Sequence, residues 1–185
     1  MQTGRGPDIR TLSTGVVYED HWMRLRLDEI ERRDGSRGTY AYVEKRDFAL
    51  VIPAENDGFH IVEEYRYPIR RRTWSFPQGG WPNGQSGSPE ELARLELSQE
   101  TGLRARDFTR LGTLHCAHGI TGQAGHFFLA TGLEPGPADR EHEEQDMRQA
   151  WVPRDRFEEM IDEGVVTDDS TLAAYGLLLI RERRG

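Results

Sequence analysis

Residues 79–103 constrain this chain more than any other stretch. A glycine-rich turn leads into Pro89-Glu90-Glu91-Leu92-Ala93-Arg94-Leu95-Glu96-Leu97-Ser98-Gln99-Glu100-Thr101, which closes on Gly102-Leu103. The pattern predicts a helix over Pro89–Thr101, because residues three and four apart share a helical face. Glu96, Gln99 and Glu100 then project together, while Leu92, Ala93 and Leu97 anchor the segment inward. Such a face offers oxygen donors to a hard cation. Mg²⁺ takes oxygen ligands, keeps several waters and is completed by substrate phosphates, so the helix suits diphosphate hydrolysis. An isolated E-x-x-x-E is ordinarily the solvated side of an amphipathic helix. The rest of the chain decides between the two readings.

The segment resembles the signature of the Nudix hydrolases, G-x5-E-x7-R-E-U-x-E-E-x-G-U with U apolar. Glu96, Leu97, Glu100, Gly102 and Leu103 fall on that pattern, and Phe76-Pro77-Gln78-Gly79-Gly80 is similar to the loop preceding it. Leu95 stands where the pattern has arginine, Gln99 where it has the first glutamate of the pair, and Gly87 at the earlier glutamate position. The spacing back to the opening glycine is also longer. Further resemblance points to the ADP-ribose pyrophosphatase and nucleoside-diphosphate-sugar hydrolase branch. Glu64-Tyr65-Arg66-Tyr67-Pro68 is similar to its Q-Y-R-x-P segment, residues 117–123 stand near its S-P-G-F-S-x-E, and residues 161–174 match its helix-turn-helix ending.

Composition sets the outer limits. A chain of 185 residues accommodates one compact domain with an appended element. A net charge of −8 argues against nonspecific nucleic-acid or anionic-membrane binding, which rely on basic patches. Residues 1–14 lack the apolar stretch of a signal peptide. The single cysteine, Cys116, can form neither an internal disulfide nor a zinc cluster, and a reducing cytoplasm is the expected location. The longest apolar run, residues 172–180, falls short of the roughly 20 residues that span a bilayer.

Extended segments are expected at residues 16–18, 22–30 and 39–43, with residues 34–38 as a hairpin turn. Met23, Leu25 and Leu27 alternate with Arg24, Arg26 and Asp28, which predicts one buried and one wet face. Strands are expected at 48–53, 59–63, 108–114, 125–130 and 151–152, and helices near 155–162 and 170–183. The run Arg70-Arg71-Arg72 reads as a solvated loop. Fold class is α+β. The resemblance implies a Nudix-type α/β/α sandwich around a mixed sheet, with an N-terminal antiparallel sheet that packs across a homodimer. The expected division is a flexible lead-in at 1–14, that sheet at 15–46, and the Nudix hydrolase domain at 47–185.

The resemblance implies Mg²⁺, with Mn²⁺ as a substitute, held by Glu96, Glu100, Gln99 and the backbone carbonyl of Gln78, a contact for which the side chain at 78 matters little. It implies a general base in the acidic loop 141–146, with Glu143 and Glu144 ahead of Asp146. It further implies Trp22 and Tyr40 as an adenine-stacking pair across the dimer, Arg66 as a diphosphate contact, and Gly119 as a substrate-lining residue. The expected reaction is hydrolysis of a nucleoside diphosphate sugar, ADP-ribose to AMP and ribose 5-phosphate. The alternative, raised by the departures at Gly87, Leu95 and Gln99, is a catalytically weakened Nudix domain that binds ADP-ribose or a nucleotide as a sensor.

Overall fold

Ala49, Leu50, Val51 and Ile52 follow one another along the chain and all are fully buried, so the strand they form must be covered on both faces. The computed structural model describes residues 8–82, 84–137 and 146–184. In chain order they form β1 (Ile9–Glu19), β2 (Arg24–Arg32), β3 (Arg37–Glu44), β4 (Phe48–Glu55), β5 (Gly58–Arg66), a 3₁₀ turn (Tyr67–Ile69), β6 (Arg71–Ser75), β7 (Gln78–Gly80), α1 (Pro89–Thr101), β8 (Leu103–His115), β9 (Ala124–Pro135), β10 (Arg148–Pro153), α2 (Arg154–Asp162) and α3 (Asp169–Glu182). Two compact units result, one of residues up to Arg46 with His115–Gln123, the other of Asp47–Leu114 with the chain from Ala124 onward.

In the second unit the strand order is β10-β5-β4-β9-β8, with β6 paired to β5 and β7 to β4. The sheet is mixed: β4 runs parallel to β9 and antiparallel to β5 and β7. Ala49, Val51, Phe128 and Ala130 pack against Leu92, Ala93 and Leu97 of α1. Burying one such leucine contributes about 1.5–3 kcal/mol. Alternation sends Leu50, Ile52 and Ala54 to the other face. There Phe59, the antiparallel partner of Ala54, meets Phe157 of α2 and Tyr175 of α3, with ring centroids 5.3 and 5.7 Å away. Helices therefore cover both faces, which makes the α/β/α sandwich.

The ends of α1 are fixed locally. Glu91 N donates to Ser88 Oγ at 3.2 Å while Ser88 N donates to the Glu91 carboxylate at 2.7 Å, a reciprocal cap whose loss costs about 1 kcal/mol. Gly102 stops the helix in the left-handed region at φ 71°, where a side chain would be strained.

The first unit is a three-stranded antiparallel sheet, β1-β2-β3, to which Val43 N adds the 115–123 loop by donating to Ile120 O at 2.8 Å. Three expectations are corrected. Strand β1 starts at Ile9 and pairs with β2 from there, so 9–14 is not a lead-in. The expected alternation fails from Leu27 onward: Met23 and Leu25 are half-buried, but Leu27 is 41% exposed, whereas Asp28 and Ile30 are buried. Asp28 tolerates burial because Thr14 Oγ1 donates to its carboxylate at 2.5 Å. The arginine run is not a solvated loop either, since β6 begins at Arg71 and Arg72 bridges Glu63 at 2.8 Å and Asp146 at 2.6 Å. No helix among the described residues is long and apolar enough to cross a membrane.

Candidate active site

Helix α1 buries two acids among its apolar anchors. Glu96 and Glu100 are 5% and 2% exposed, while Glu90, Glu91 and Arg94 on the outer face are open to solvent. Both carboxylates converge on one dipeptide of β7. Gln78 N faces Glu100 Oε1 at 3.4 Å, and the carboxylate of Glu96 lies so close to Gly79 that a Cβ there would come within 2.6–2.8 Å of it. Gly79 is therefore the glycine the site requires; its neighbour Gly80 has room for a methyl group. Gln99 is half-buried on the same turn, and Leu95 packs partly buried against the core cluster.

The Gln78 side chain reaches the other way. Its Nε2 donates to Asp168 Oδ2 at 2.9 Å, at the start of α3. Asp168 also lines a cavity of about 320 Å³ bounded by Arg66, Pro68, Ile69, Thr73, Ser75, Thr167 and Asp169. Arg66 brings a guanidinium to that cavity, held by Glu64 at 2.5 Å. Burial pushes the Glu64 carboxyl above its ordinary range; Arg66 opposes the shift and Asp168 and Asp146 reinforce it. An exposed Asp146 is tied to Arg72, whose hydrogen bond holds its proton affinity below the usual carboxylate range. A carboxylate so engaged is a poor proton acceptor. Glu143 and Glu144 lie outside the described residues.

In the first unit Tyr40 and Gly119 meet, the tyrosine hydroxyl donating to Gly119 O at 2.8 Å. Trp22 sits exposed in the β1–β2 turn, which Asp20 fixes by accepting from the backbone N–H groups of Trp22 and Met23. Arg24 pairs with Glu44 and Asp28 with Tyr40. Tyr40 therefore lies four residue steps, about 13 Å, from the strand end beside Trp22, so one chain does not bring the two rings face to face.

Two buried carboxylates one turn apart repel each other unless a cation or proton intervenes. Two such carboxylates are hard-oxygen donors of the kind a divalent cation of the Mg²⁺ type accepts. Among the described residues no three His, Cys, Asp or Glu side chains gather as a metal cluster. Sequence reading did not identify the side-chain role of Gln78, nor Asp168, Thr171 and Glu64. A signal was available for two of them, because Asp168-Asp169-Ser170-Thr171 is a helix-capping pattern directly before an apolar run.

Comparison with known proteins covers both units. The family profile of the nucleoside diphosphate sugar hydrolase N-terminal domain matches residues 9–43, and that of the NUDIX domain matches residues 44–175. The chain is 23% identical over 175 residues to an ADP-ribose pyrophosphatase of Bacillus subtilis (strain 168), covering 94% of each chain. It is 25% identical over 125 residues to a methanol dehydrogenase activator of Bacillus methanolicus, covering 67% of this chain and 66% of that one. A solved structure described as an ADP compounds hydrolase shares the fold with a TM-score of 0.81 at 21% identity, over 95% of this chain and 94% of that one.

Proposed function

This chain belongs to the Nudix hydrolases, in the nucleoside diphosphate sugar branch, and from that premise we propose that it hydrolyses the diphosphate of ADP-ribose to AMP and ribose 5-phosphate. The observation that carries the reading is the convergence of buried Glu96 and Glu100 on Gln78–Gly79, with Gln78 linked through Asp168 to the cavity that Arg66 lines. Glu96, Glu100, the Gln78 carbonyl and the Gln99 amide are the groups that would hold Mg²⁺. A bound divalent cation supplies charge neutralisation and lowers the pKa of a coordinated water.

The remaining chemistry falls to the chain itself. Arg66 presents a planar fork of donors suited to two phosphate oxygens, and Glu64 restrains its orientation. A water oxygen forms the new bond to one phosphorus as the bridging P–O bond breaks, and the leaving phosphate takes the bridging oxygen. The proton released by the water passes to a carboxylate of the acidic loop. Glu143 or Glu144 takes this role, because Asp146 is engaged by Arg72. Trp22 and Tyr40 stack adenine from two copies of the chain, which makes the working unit a homodimer.

Glu96→Gln and Glu100→Gln test the reading. Each takes one negative charge from the donor set while keeping side-chain volume, and each should lower ADP-ribose turnover by more than about a hundredfold, with thermal unfolding little changed. Near-normal rates in both variants would sink the assignment.

A further inference from the structure

Strand β7 is only Gln78–Gly80, a glutamine followed by two glycines. Glycine-rich backbone has little intrinsic hold on one conformation, yet this backbone carries the carbonyl and the close approach to Glu96 on which the donor set depends. The structure grips it from both helical layers. On the α1 side are the Glu100 contact to Gln78 N and the Glu96 contact to Gly79. On the α3 side, Thr171 Oγ1 accepts from Phe76 N at 3.0 Å and Asp168 Oδ2 accepts from Gln78 Nε2 at 2.9 Å. The same Asp168 oxygen caps α3 by accepting from Thr171 N at 2.8 Å.

We infer that the Gln78 side chain and Asp168 form a strut that positions the Gln78–Gly79 backbone against Glu96 and Glu100, and so sets the affinity of that site for a divalent cation. The inference rests on the metal reading above. Both members are positioning residues: Gln78 acts through its own backbone and Asp168 through Gln78. The side chain at position 78 therefore matters, contrary to what the carbonyl role alone implies. An end shared between the strut and the α3 cap ties the donor set to the first turn of the last helix, where Thr171 is fully buried.

Gln78→Ala removes the strut donor and leaves the carbonyl, the N–H and the Asp168 cap in place. Electron paramagnetic resonance with Mn²⁺ and no substrate should show affinity about tenfold weaker, the size expected for one lost hydrogen bond to a charged group. Hydrogen–deuterium exchange of the metal-free variant should quicken over residues 76–80 and not over α3. Asp168→Asn should cost only about threefold in Mn²⁺ affinity, because both bonds land on one oxygen that an amide still offers, without the carboxylate's charge. Asp168→Ala should reproduce the Gln78→Ala loss, and the double variant should lose no more. Wild-type Mn²⁺ affinity and unchanged exchange in Gln78→Ala would overturn the strut, as would Asp168→Asn as weak as Asp168→Ala. Wild-type protein that binds no Mn²⁺ would remove the metal reading, and this inference with it.

Discussion

Replacing Gly79 with alanine perturbs the donor set at a single point whose size the structure gives. The new Cβ would lie 2.6 Å from Glu96 Oε2 and 2.8 Å from both Cδ and Oε1. Ordinary contact begins near about 3.5 Å, so the carboxylate must retreat by roughly 0.7–0.9 Å. Backbone strain is not at issue, since Gly79 is absent from the left-handed positions. The atoms that yield are the end of a side chain, so the stability cost should be about 1 kcal/mol, partly offset by the stiffer unfolded chain. Misplacing a reacting group by about 1 Å costs on the order of a hundredfold in rate. Measured with ADP-ribose at saturating Mg²⁺, kcat/KM of Gly79→Ala should fall by about that factor, while Tm falls by only about 2–4 °C. Gly80→Ala is the control: its Cβ meets Asp47 O at 3.6 Å, an ordinary contact, and its rate should stay within about threefold. A full rate in Gly79→Ala, or an equal loss in Gly80→Ala, would refute the claim that Glu96 must lie against residue 79.

Three further outcomes are expected. Gln99→Glu should lower the Mg²⁺ midpoint for product formation, from an unusually high, millimolar-scale requirement in wild type, because a third carboxylate strengthens attraction to a hard cation; an unchanged midpoint would mean that residue 99 does not face the metal. Burial raises the Glu64 pKa from 4.5, so the folded state binds that proton more tightly; its contribution is full below pH 4.5 and is lost as pH rises through the folded value. Glu64→Gln should therefore gain stability relative to wild type between pH 4 and pH 7, read from urea midpoints, and a constant difference would contradict it. Light scattering at micromolar concentration should give twice the 21.2 kDa chain mass, in keeping with exposed Val16, Val17, Tyr18 and Leu27 on the N-terminal sheet; a fully active monomer would reject the cross-dimer adenine site.

Helix α1 was legible because its signals are local: the apolar spacing of Leu92, Ala93 and Leu97, the two acids four residues apart, and Gly102 at the stop. The hairpin of β2 and β3 was legible for the same reason, from Asp34-Gly35 between extended runs. Non-local determinants were not. Asp28 reads as a solvent-facing acid until Thr14, on a different strand, is brought to it. Arg71 and Arg72 read as loop charges until Glu63 on the neighbouring strand and Asp146, far along the chain, pair with Arg72. The tether from Gln78 to Asp168 joins residues separated by most of the second unit, and no periodicity in one segment announces a contact to another. Leu95 was read only as a departure at the arginine position of the signature, whereas it lies against the core cluster of Ala49, Leu92 and Leu97.

With its donor set around Glu96 and Glu100, the protein should turn over a nucleoside diphosphate sugar and not merely bind it. Phosphorus NMR of the purified protein with ADP-ribose, followed with and without Mg²⁺, tests this most directly. The diphosphate resonances should disappear and the two monophosphate signals of AMP and ribose 5-phosphate should grow, only when Mg²⁺ is present. Tight, saturable binding of ADP-ribose with the diphosphate intact at millimolar Mg²⁺ would contradict it and identify the chain as a nucleotide sensor on a hydrolase fold.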